Sequence, residues 1–347
     1  MKETALQYVH LTSRQQRTIL AMAVFLAVVA GASLCVGPIR ISLGDLWGES
    51  DTAARQILMA IRLPRILAAI MAGAGLSLSG LAMQNVLRNP LASPFTLGVS
   101  GAAAFGAAFS IVILGVPRWL AVSHIPAWRY AAPFLTGLSA FGFSILSVLI
   151  ILLAMKQRGS RPSVIVLTGM MTSSLFSAGT SALQYFANDR QLAEIVFWTF
   201  GDPGRAGYPL LILQALVLLP VLFWMNRHRW DFALLQSGDD SAKAGGLNPS
   251  RFRFKVLIFT SLVTAVMVAG YGIISFVGLV SPHLSRLFVR GQSLSLASSA
   301  LFGAIFLLVS DTLARSLLSP VILPVGIVTA FFGAPFFIAM LIRNREL

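Results

Sequence analysis

Charged side chains are scarce in this chain of 347 residues: 11% of the residues are Asp, Glu, Lys or Arg, and 56% are hydrophobic. A soluble domain carries about 25% charged residues. The single cysteine, Cys35, excludes an intramolecular disulfide, and the four histidines are scattered. Because no Cys/His cluster and no Ser-His-Asp set can be placed, the sequence predicts no metal site, no cofactor and no catalytic residue.

The few lysines also argue against ATP hydrolysis by this chain. A phosphate-binding loop needs the pattern GxxxxGK[ST], in which backbone N–H groups and the lysine hold the phosphates. None of the four lysines follows a glycine or precedes a serine or threonine; they are Lys2, Lys156, Lys243 and Lys255. If the chain takes part in ATP-driven transport, we expect the ATPase to be a separate subunit.

Long uncharged runs are abundant and predict an all-α, polytopic membrane protein. They cover residues 18–39, 66–87, 89–117, 131–155, 163–188, 206–226, 256–285, 291–310 and 316–342. The first run is too long for a signal peptide, so we take it as a span. We divide the glycine-rich run at 256–285 into a full span to about Ile274 and a short helix that continues to about Arg290.

Ten spans with both termini inside agree with the charges. This topology places about two thirds of the 26 Lys and Arg residues on the cytoplasmic side, as the positive-inside rule predicts. The net charge of +14 is therefore explained by membrane topology and not by nucleic-acid binding. We treat residues 1–347 as one polytopic permease domain with a cytoplasmic loop at about 227–255.

Two glycine-rich segments in opposite halves of the chain resemble each other. They are AGAGLSLSGLAMQNVLRNPL at 72–91 and AGYGIISFVGLVSPHLSRLF at 269–288. Internal similarity of this kind predicts an inverted repeat, although the shared composition of membrane helices would produce the same similarity.

Two segments between spans are more polar than the spans, and each predicts an amphipathic helix. Residues 38–58 predict an extended piece and then an amphipathic helix on the outer membrane surface. Residues 188–208 predict a short amphipathic helix followed by a Gly-Asp-Pro-Gly turn.

A set of short strings makes the chain similar to a known family. The strings include RLPR at 62–65, Gln84, the NPLASP break at 89–94, LGVSGA at 97–102 and GLVSPHLSR at 278–286. They resemble the signature of the FecCD-type permeases, the membrane subunits of binding-protein-dependent ABC importers for iron–siderophores, haem and cobalamin. The similarity extends over nearly the whole chain. The string at Trp198 to Asp202 departs from the family's WxxGS-like pattern, which leaves the local contacts there undefined.

The resemblance implies a BtuC-like fold of about ten helices in the cytoplasmic membrane of a bacterium or archaeon, with both termini in the cytoplasm. It also implies several partners. They are a second permease copy or a close paralogue, two copies of an ABC ATPase, and a periplasmic or lipid-anchored substrate-binding protein.

The predicted cytoplasmic loop contains the string GDDSAKAGGL at 238–247, in which small residues recur every four positions. Two acidic residues stand where a helix N-terminus favours negative charge. In the resembling family, the matching string forms the helix that docks on the ATPase. The resemblance therefore assigns ATPase coupling to Gly238, Asp239, Asp240, Ala242, Gly246 and Leu247. The spacing alone fits a solvated loop helix equally well.

The resemblance also implies that the fifth and tenth spans, here 163–187 and 325–342, line a translocation path at the twofold axis of a dimer. The fifth span is rich in hydroxyl groups, which suits a large cargo that must pass without tight binding. These hydroxyls belong to Thr168, Thr172, Ser173, Ser174, Ser177, Thr180 and Ser181. The path and inner-gate residues that we predict are Pro162, Ser163, Thr168, Thr172 and Ser173.

Three arginines fall on the predicted outer side, where the positive-inside rule disfavours them. Arg62 and Arg65 are about one helical turn apart, and Arg315 shares a helix face with Asp311. In the resembling permeases, arginines at these positions meet acidic residues of the binding protein, so the resemblance assigns docking to Arg62, Arg65 and Arg315. The alternative is that they neutralise neighbours within the chain, as Asp311 would do for Arg315, or reach lipid headgroups.

The cargo that the resemblance favours is a ferric siderophore, followed by haem and cobalamin, with molybdate as a further candidate. The sequence does not choose among them, because the external binding protein sets most of the specificity in this family. An ion-coupled secondary transporter of a small solute is the alternative function. A proton relay would need acidic residues deep in several spans, and the sequence offers none. A receptor or scaffold without transport is a third possibility.

Overall fold

The computed structural model describes residues 2–37, 55–116, 131–289, 292–318 and 320–343, and the regular structure within these ranges is helical throughout. The α-helices are α1 Lys2–Cys35, α2 Leu63–Leu87, α3 Val99–Val112, α4 Ala131–Arg158, α5 Pro162–Phe186, α6 Asp189–Thr199, α7 Tyr208–Arg227, α8 Arg229–Gln236, α9 Asp239–Ala244, α10 Pro249–Tyr271, α11 Val277–Phe288, α12 Gln292–Ser316 and α13 Val325–Arg343. A π-helical stretch, Ile57–Arg62, leads into α2, and a 3-10 turn, Pro203–Arg205, precedes α7.

Among the described residues, ten of these helices stand at the predicted span positions, and seven helical segments are long and apolar enough to cross a membrane. Helices α3 and α13 contribute shorter apolar segments. Helix α11 has 12 residues and so extends about 18 Å, against a hydrocarbon core about 30 Å thick. It cannot span the core alone, and the side on which each terminus lies stays a prediction.

The long run at 256–285 divides as the glycines predict. Helix α10 ends at Tyr271, and Gly272 follows with φ of +81°. Phe276, with φ of +65°, directly precedes α11. A positive φ interrupts a helix, and glycine adopts it with little strain, so the chain leaves the helical conformation between Gly272 and Phe276. The predicted full span and short helix are therefore confirmed.

The segment before α7 also matches its prediction. Asn188 caps the start of helix α6: its side chain accepts a hydrogen bond from the N–H of Gln191, and the Gln191 side chain accepts one in return from the N–H of Asn188. This reciprocal pair is a capping box. The Gly-Asp-Pro-Gly turn follows as the 3-10 turn. Most of the other predicted surface segment, 38–58, lies outside the described residues.

Helix α2 is the central helix of the bundle. In its most apolar window 78% of the residues are buried, compared with 22% in α5. A Cβ on Gly73 would overlap the backbone of Gly303 in α12, and one on Gly80 would overlap the carbonyl oxygen of Gly278 in α11. Small residues allow such backbone contact between membrane helices. The two similar segments therefore pack against each other, while the inverted repeat itself stays a prediction.

Candidate functional site

Arg253 is the centre of a polar cluster at the predicted inner end of α2. Its side chain, 1% exposed, donates two hydrogen bonds to the Asp239 carboxylate, at 2.8 Å from Nη1 and 2.6 Å from Nη2. Nε donates to the Val86 carbonyl oxygen at 2.9 Å, and Nη1 also donates to the Ser160 carbonyl oxygen at 3.3 Å. One guanidinium thus connects α9, the last turn of α2, the segment before α5, and α10. These bonds lower the pKa of Asp239, which keeps its carboxylate ionised at neutral pH.

Further polar contacts at this end of α2 reach α8 and α11. Arg88, which ends α2 with φ of +47°, lies 3.5 Å from the Asp239 carboxylate. The side chains of Gln236 in α8 and Arg286 in α11 both donate to Oδ1 of Asn85. The C-terminal turn of α2 is therefore where the loop at 227–255 joins the bundle.

The predicted coupling residues lie in and around α9, and they do not share one outward face. Ala242 is fully buried in the core of the chain, whereas Asp240 and Gly246 are exposed. Gly238 and Gly246 have φ of +116° and +82°, which lie in the region that favours glycine. Leu247 is half-buried and packs against the core. The four-residue spacing is therefore explained partly by packing inside the permease, and contact of the exposed residues with an ATPase stays a prediction.

Pro162 and Ser163 start α5 as predicted, with proline in the first turn, where its missing N–H has little cost. Ser163 is exposed. Both residues line a groove of about 460 Å³ that runs between the start of α5 and the end of α2. The other lining residues are Leu87, Arg88, Asn89, Pro90, Val166, Leu167 and Met170.

The hydroxyls predicted to line the path separate into two groups. Thr172 is 4% exposed and donates to the Thr168 carbonyl oxygen at 2.7 Å, and Thr180 likewise donates to Phe176 at 2.9 Å. Ser173 is half-buried against α3. The exposed hydroxyls of α5 are instead those of Ser174, Ser177 and Ser181. Within one chain, the accessible face of α5 is therefore offset from Thr172 and Ser173.

A second groove, of about 610 Å³, lies beside α13, the tenth predicted span. Its lining is mostly apolar and consists of Thr199, Phe200, Ile273, Ser275, Gly326, Ile327, Ala330, Phe331, Ala334 and Pro335. The N–H of Gly201 donates to the Ile273 carbonyl oxygen at 3.1 Å, and the N–H of Gly326 donates to the Gly201 carbonyl oxygen at 3.3 Å. These bonds fix the turn after α6 against the start of α13.

The three predicted docking arginines lie at the opposite end of α2 and are buried, with 5%, 7% and 4% exposure for Arg62, Arg65 and Arg315. Asp311, which is fully buried, accepts hydrogen bonds from Nε of Arg65 at 2.9 Å and from Nε of Arg315 at 3.1 Å. Nη2 of Arg65 also lies 2.9 Å from a carboxylate oxygen of Asp202. The expected pairing of Asp311 with Arg315 is confirmed.

The same arginines bind the end of α1. Arg315 donates to the Ser33 hydroxyl at 2.6 Å and to the Val36 carbonyl oxygen at 3.2 Å. Arg62 donates to the Leu34 carbonyl oxygen. The network therefore holds α1, α2, α12 and the turn at Asp202 together. In a single chain these guanidiniums face inward, and docking of a binding protein on them stays a prediction.

The residues that the structure describes contain no group of three or more His, Cys, Asp or Glu side chains that could hold a metal ion. His283 is 8% exposed, and its Nε2 lies 3.1 Å from the Pro90 carbonyl oxygen. This contact ties α11 to the break after α2 and gives the histidine a structural role.

Comparison with known proteins agrees with this architecture. Residues 22–343 match the model of the FecCD transport family. A protein of Methanocaldococcus jannaschii named as an ABC transporter permease is 42% identical over 330 residues, which are 94% of this chain and 93% of the relative. The hemin transport system permease protein HmuU of Yersinia pestis is 33% identical over 330 residues, covering 94% and 95%. A solved inward-facing structure of a metal-chelate type ABC transporter has a TM-score of 0.83 and 30% identity, covering 95% of this chain and 100% of the other.

Relatives at similar identity are named for other cargoes. The vitamin B12 import permease of Vibrio parahaemolyticus is 34% identical over 334 residues, covering 96% of both chains. The molybdate import permease of Haemophilus influenzae is 33% identical over 332 residues, covering 92% and 94%. The family is thus common to all of these proteins while the cargo differs, and the chain belongs to the FecCD transport family as a membrane permease subunit of an ABC importer.

Proposed function

We propose that this permease moves a ferric siderophore or a similar metal chelate, such as haem or cobalamin, into the cytoplasm. The supporting observation is its full-length similarity to a hemin permease and to a metal-chelate transporter with a TM-score of 0.83. A separate ATPase, in two copies, supplies the energy. A second permease copy or close paralogue and a periplasmic or lipid-anchored binding protein complete the importer, and both permease termini lie in the cytoplasm.

The translocation path in this proposal runs along α5 and α13, where two permease subunits meet. The chain itself leaves these helices open: Met171 and Leu175 on α5 are 63% and 66% exposed, and Phe331 on α13 is 75% exposed. Ser174 and Ser177 are exposed beside the α5 residues. A second copy would cover part of these faces, and the remainder would form a weakly polar wall for a large cargo.

Uptake into vesicles that contain the permease, its ATPase and its binding protein tests the proposed cargo. At least one of three labelled chelates should accumulate inside the vesicles. They are haemin and a ferric hydroxamate siderophore, both with radioactive iron, and labelled cobalamin. Labelled molybdate, supplied in the same way, should stay outside. Accumulation of molybdate alone would contradict the chelate proposal and leave the family assignment unaffected.

The inner gate in this proposal is the start of α5. With Cys35→Ser to remove the native cysteine, Ser163→Cys should cross-link the two permease subunits in one nucleotide state of the ATPase and not in the other. Ser163 is exposed, so the cysteine would be accessible to a cross-linker. Cross-linking that is absent, or that is equal in all nucleotide states, would remove Ser163 from the gate.

A further inference from the structure

We propose that Arg253 is a positioning residue that transmits movement of α9 to the start of α5. This inference rests on the proposed function, because it takes α9 as the contact with the ATPase and the start of α5 as the inner gate. Arg253 itself meets neither ATP nor cargo in this proposal.

The connection consists of bonds from one side chain to two separate elements. Asp239 is the first residue of α9, and Ser160 lies two residues before Pro162 at the start of α5. Nη1 of Arg253 binds both of them, at 2.8 Å to the carboxylate and 3.3 Å to the carbonyl oxygen. A guanidinium is planar, and its donors keep fixed directions relative to one another. A displacement of the carboxylate therefore turns the guanidinium against Ser160 or breaks one of the bonds.

Burial determines which parts of the connection can move. The Val86 carbonyl oxygen, which accepts from Nε, belongs to the buried helix α2 and gives Arg253 a fixed anchor. The Asp239 side chain is 35% exposed at the surface of the cluster. Gly159, just before Ser160, has φ of +85°, and a Cβ there would meet nothing within 4 Å. In this proposal the segment between α4 and α5 turns at Gly159 while α2 remains in place.

A role limited to stability makes a different prediction. If Arg253 only held the inner end of the bundle together, its replacement would lower the yield and stability of the permease. The gate of the molecules that still assembled would respond to nucleotide as before. The gate response of assembled complexes, measured together with their ATP hydrolysis, therefore distinguishes transmission of movement by Arg253 from stabilisation of the bundle.

The test uses the complex of the permease with its ATPase and the Cys35→Ser, Ser163→Cys reporter, compared without nucleotide and with ATP plus vanadate. Arg253→Lys keeps the positive charge, but a single ammonium cannot reach the carboxylate and both carbonyl oxygens as the guanidinium does. We expect ATP hydrolysis to stay within about twofold of the unmodified complex, while the cross-linking difference between the two states falls about tenfold, a typical size for coupling between sites. Arg251→Lys, at an exposed position two residues away, is the matched control and should change neither quantity.

The outcomes distinguish the inference from the function on which it rests. If the Ser163→Cys reporter does not respond to nucleotide in the complex that keeps the native Arg253, the gate assignment fails, and the inference fails with it. If the complex with native Arg253 responds and the Arg253→Lys complex responds equally, the inference is overturned and the proposed function stands. If Arg253→Lys does not assemble, Asp239→Asn replaces it, because this change weakens the bonds to α9 and leaves those to α2 and Ser160. Asp239 is also a predicted coupling residue, so the gate response is compared only in complexes that retain the ATPase and hydrolyse ATP. A wild-type gate response in Asp239→Asn would also overturn the inference.

Discussion

Replacement of Gly80 by alanine should strongly destabilise the permease. Helices α2 and α11 are so close at this point that a Cβ on Gly80 would overlap the carbonyl oxygen of Gly278, and its carbonyl carbon would lie only 2.5 Å away. The overlapping atoms of Gly278 belong to the backbone, so no side-chain rotation can relieve the overlap, and the two helices must separate. Overpacking of a core costs about 1–3 kcal/mol and occasionally more. We expect a loss of about 3 kcal/mol in the free energy of unfolding.

Gly142→Ala is the matched control for this substitution. Gly142 is exposed in α4, and a Cβ there would meet nothing within 4 Å. Glycine inside a helix is about 0.5–1 kcal/mol less favourable than alanine, so Gly142→Ala should leave the stability unchanged or raise it slightly. The measurement is the denaturant midpoint of each variant in the same detergent. Equal midpoints for Gly80→Ala and Gly142→Ala would show that the helices do not meet as closely as described.

Replacement of Asp311 by asparagine should have an effect of similar or greater size. The carboxylate is fully buried and accepts hydrogen bonds from both Arg65 and Arg315. Asparagine has almost the same shape but no charge, so the buried Arg315 guanidinium would lose its carboxylate partner, and Arg65 would keep the Asp202 carboxylate, which is 36% exposed. Removal of one partner from a buried ion pair costs about 3–5 kcal/mol, because the remaining charge stays away from water. The network joins α1, α2 and α12, so we expect the loss to appear in global unfolding.

A surface ion pair provides the control for Asp311→Asn. Glu194 lies 3.2 Å from Arg190, whose side chain is 81% exposed. Exposed pairs of this kind contribute about 0.2–1 kcal/mol, so Glu194→Gln should change the unfolding midpoint little. If Asp311→Asn and Glu194→Gln unfold at the same denaturant concentration, the buried network does not stabilise the bundle in the way that its geometry implies.

Helix positions are well predicted from the sequence because an uncharged run of about 20 residues is typical of a membrane-spanning helix and rare in soluble domains. The break after α10 is also predictable, since the glycines of this run mark where a helix can end, and Gly272 indeed has a positive φ. The i, i+4 spacing of Asp311 and Arg315 predicts their contact within one helix. What these features share is that each depends on residues close together in sequence.

The surroundings of the other arginines cannot be predicted in this way. The positive-inside rule concerns the side of the membrane on which an arginine lies, and it carries no information about exposure. Arg65 pairs with Asp311, 246 residues along the chain, and with Asp202 in a turn whose position depends on packing. The rule identifies Arg62 and Arg65 as unusual, but it does not show that they are buried.

The role of Arg253 cannot be predicted either, because in the sequence it is one of several basic residues of a cytoplasmic loop. Two of its partners are the backbone carbonyls of Val86 and Ser160, 167 and 93 residues away, and a carbonyl leaves no signature in the sequence. Ala242 illustrates a second limit. A four-residue spacing shows that small residues share a helix face, but it does not show whether that face points to the core or to a partner.

The most direct test of ATP-driven chelate import is a single uptake measurement with two possible energy sources. Vesicles containing the permease, its ATPase and its binding protein receive haemin, a ferric hydroxamate or cobalamin, each labelled. We predict accumulation of a chelate when ATP is available to the ATPase, unchanged by ionophores that collapse proton and sodium gradients. Accumulation that follows an imposed ion gradient without ATP, or no accumulation of any chelate with ATP, would contradict this function.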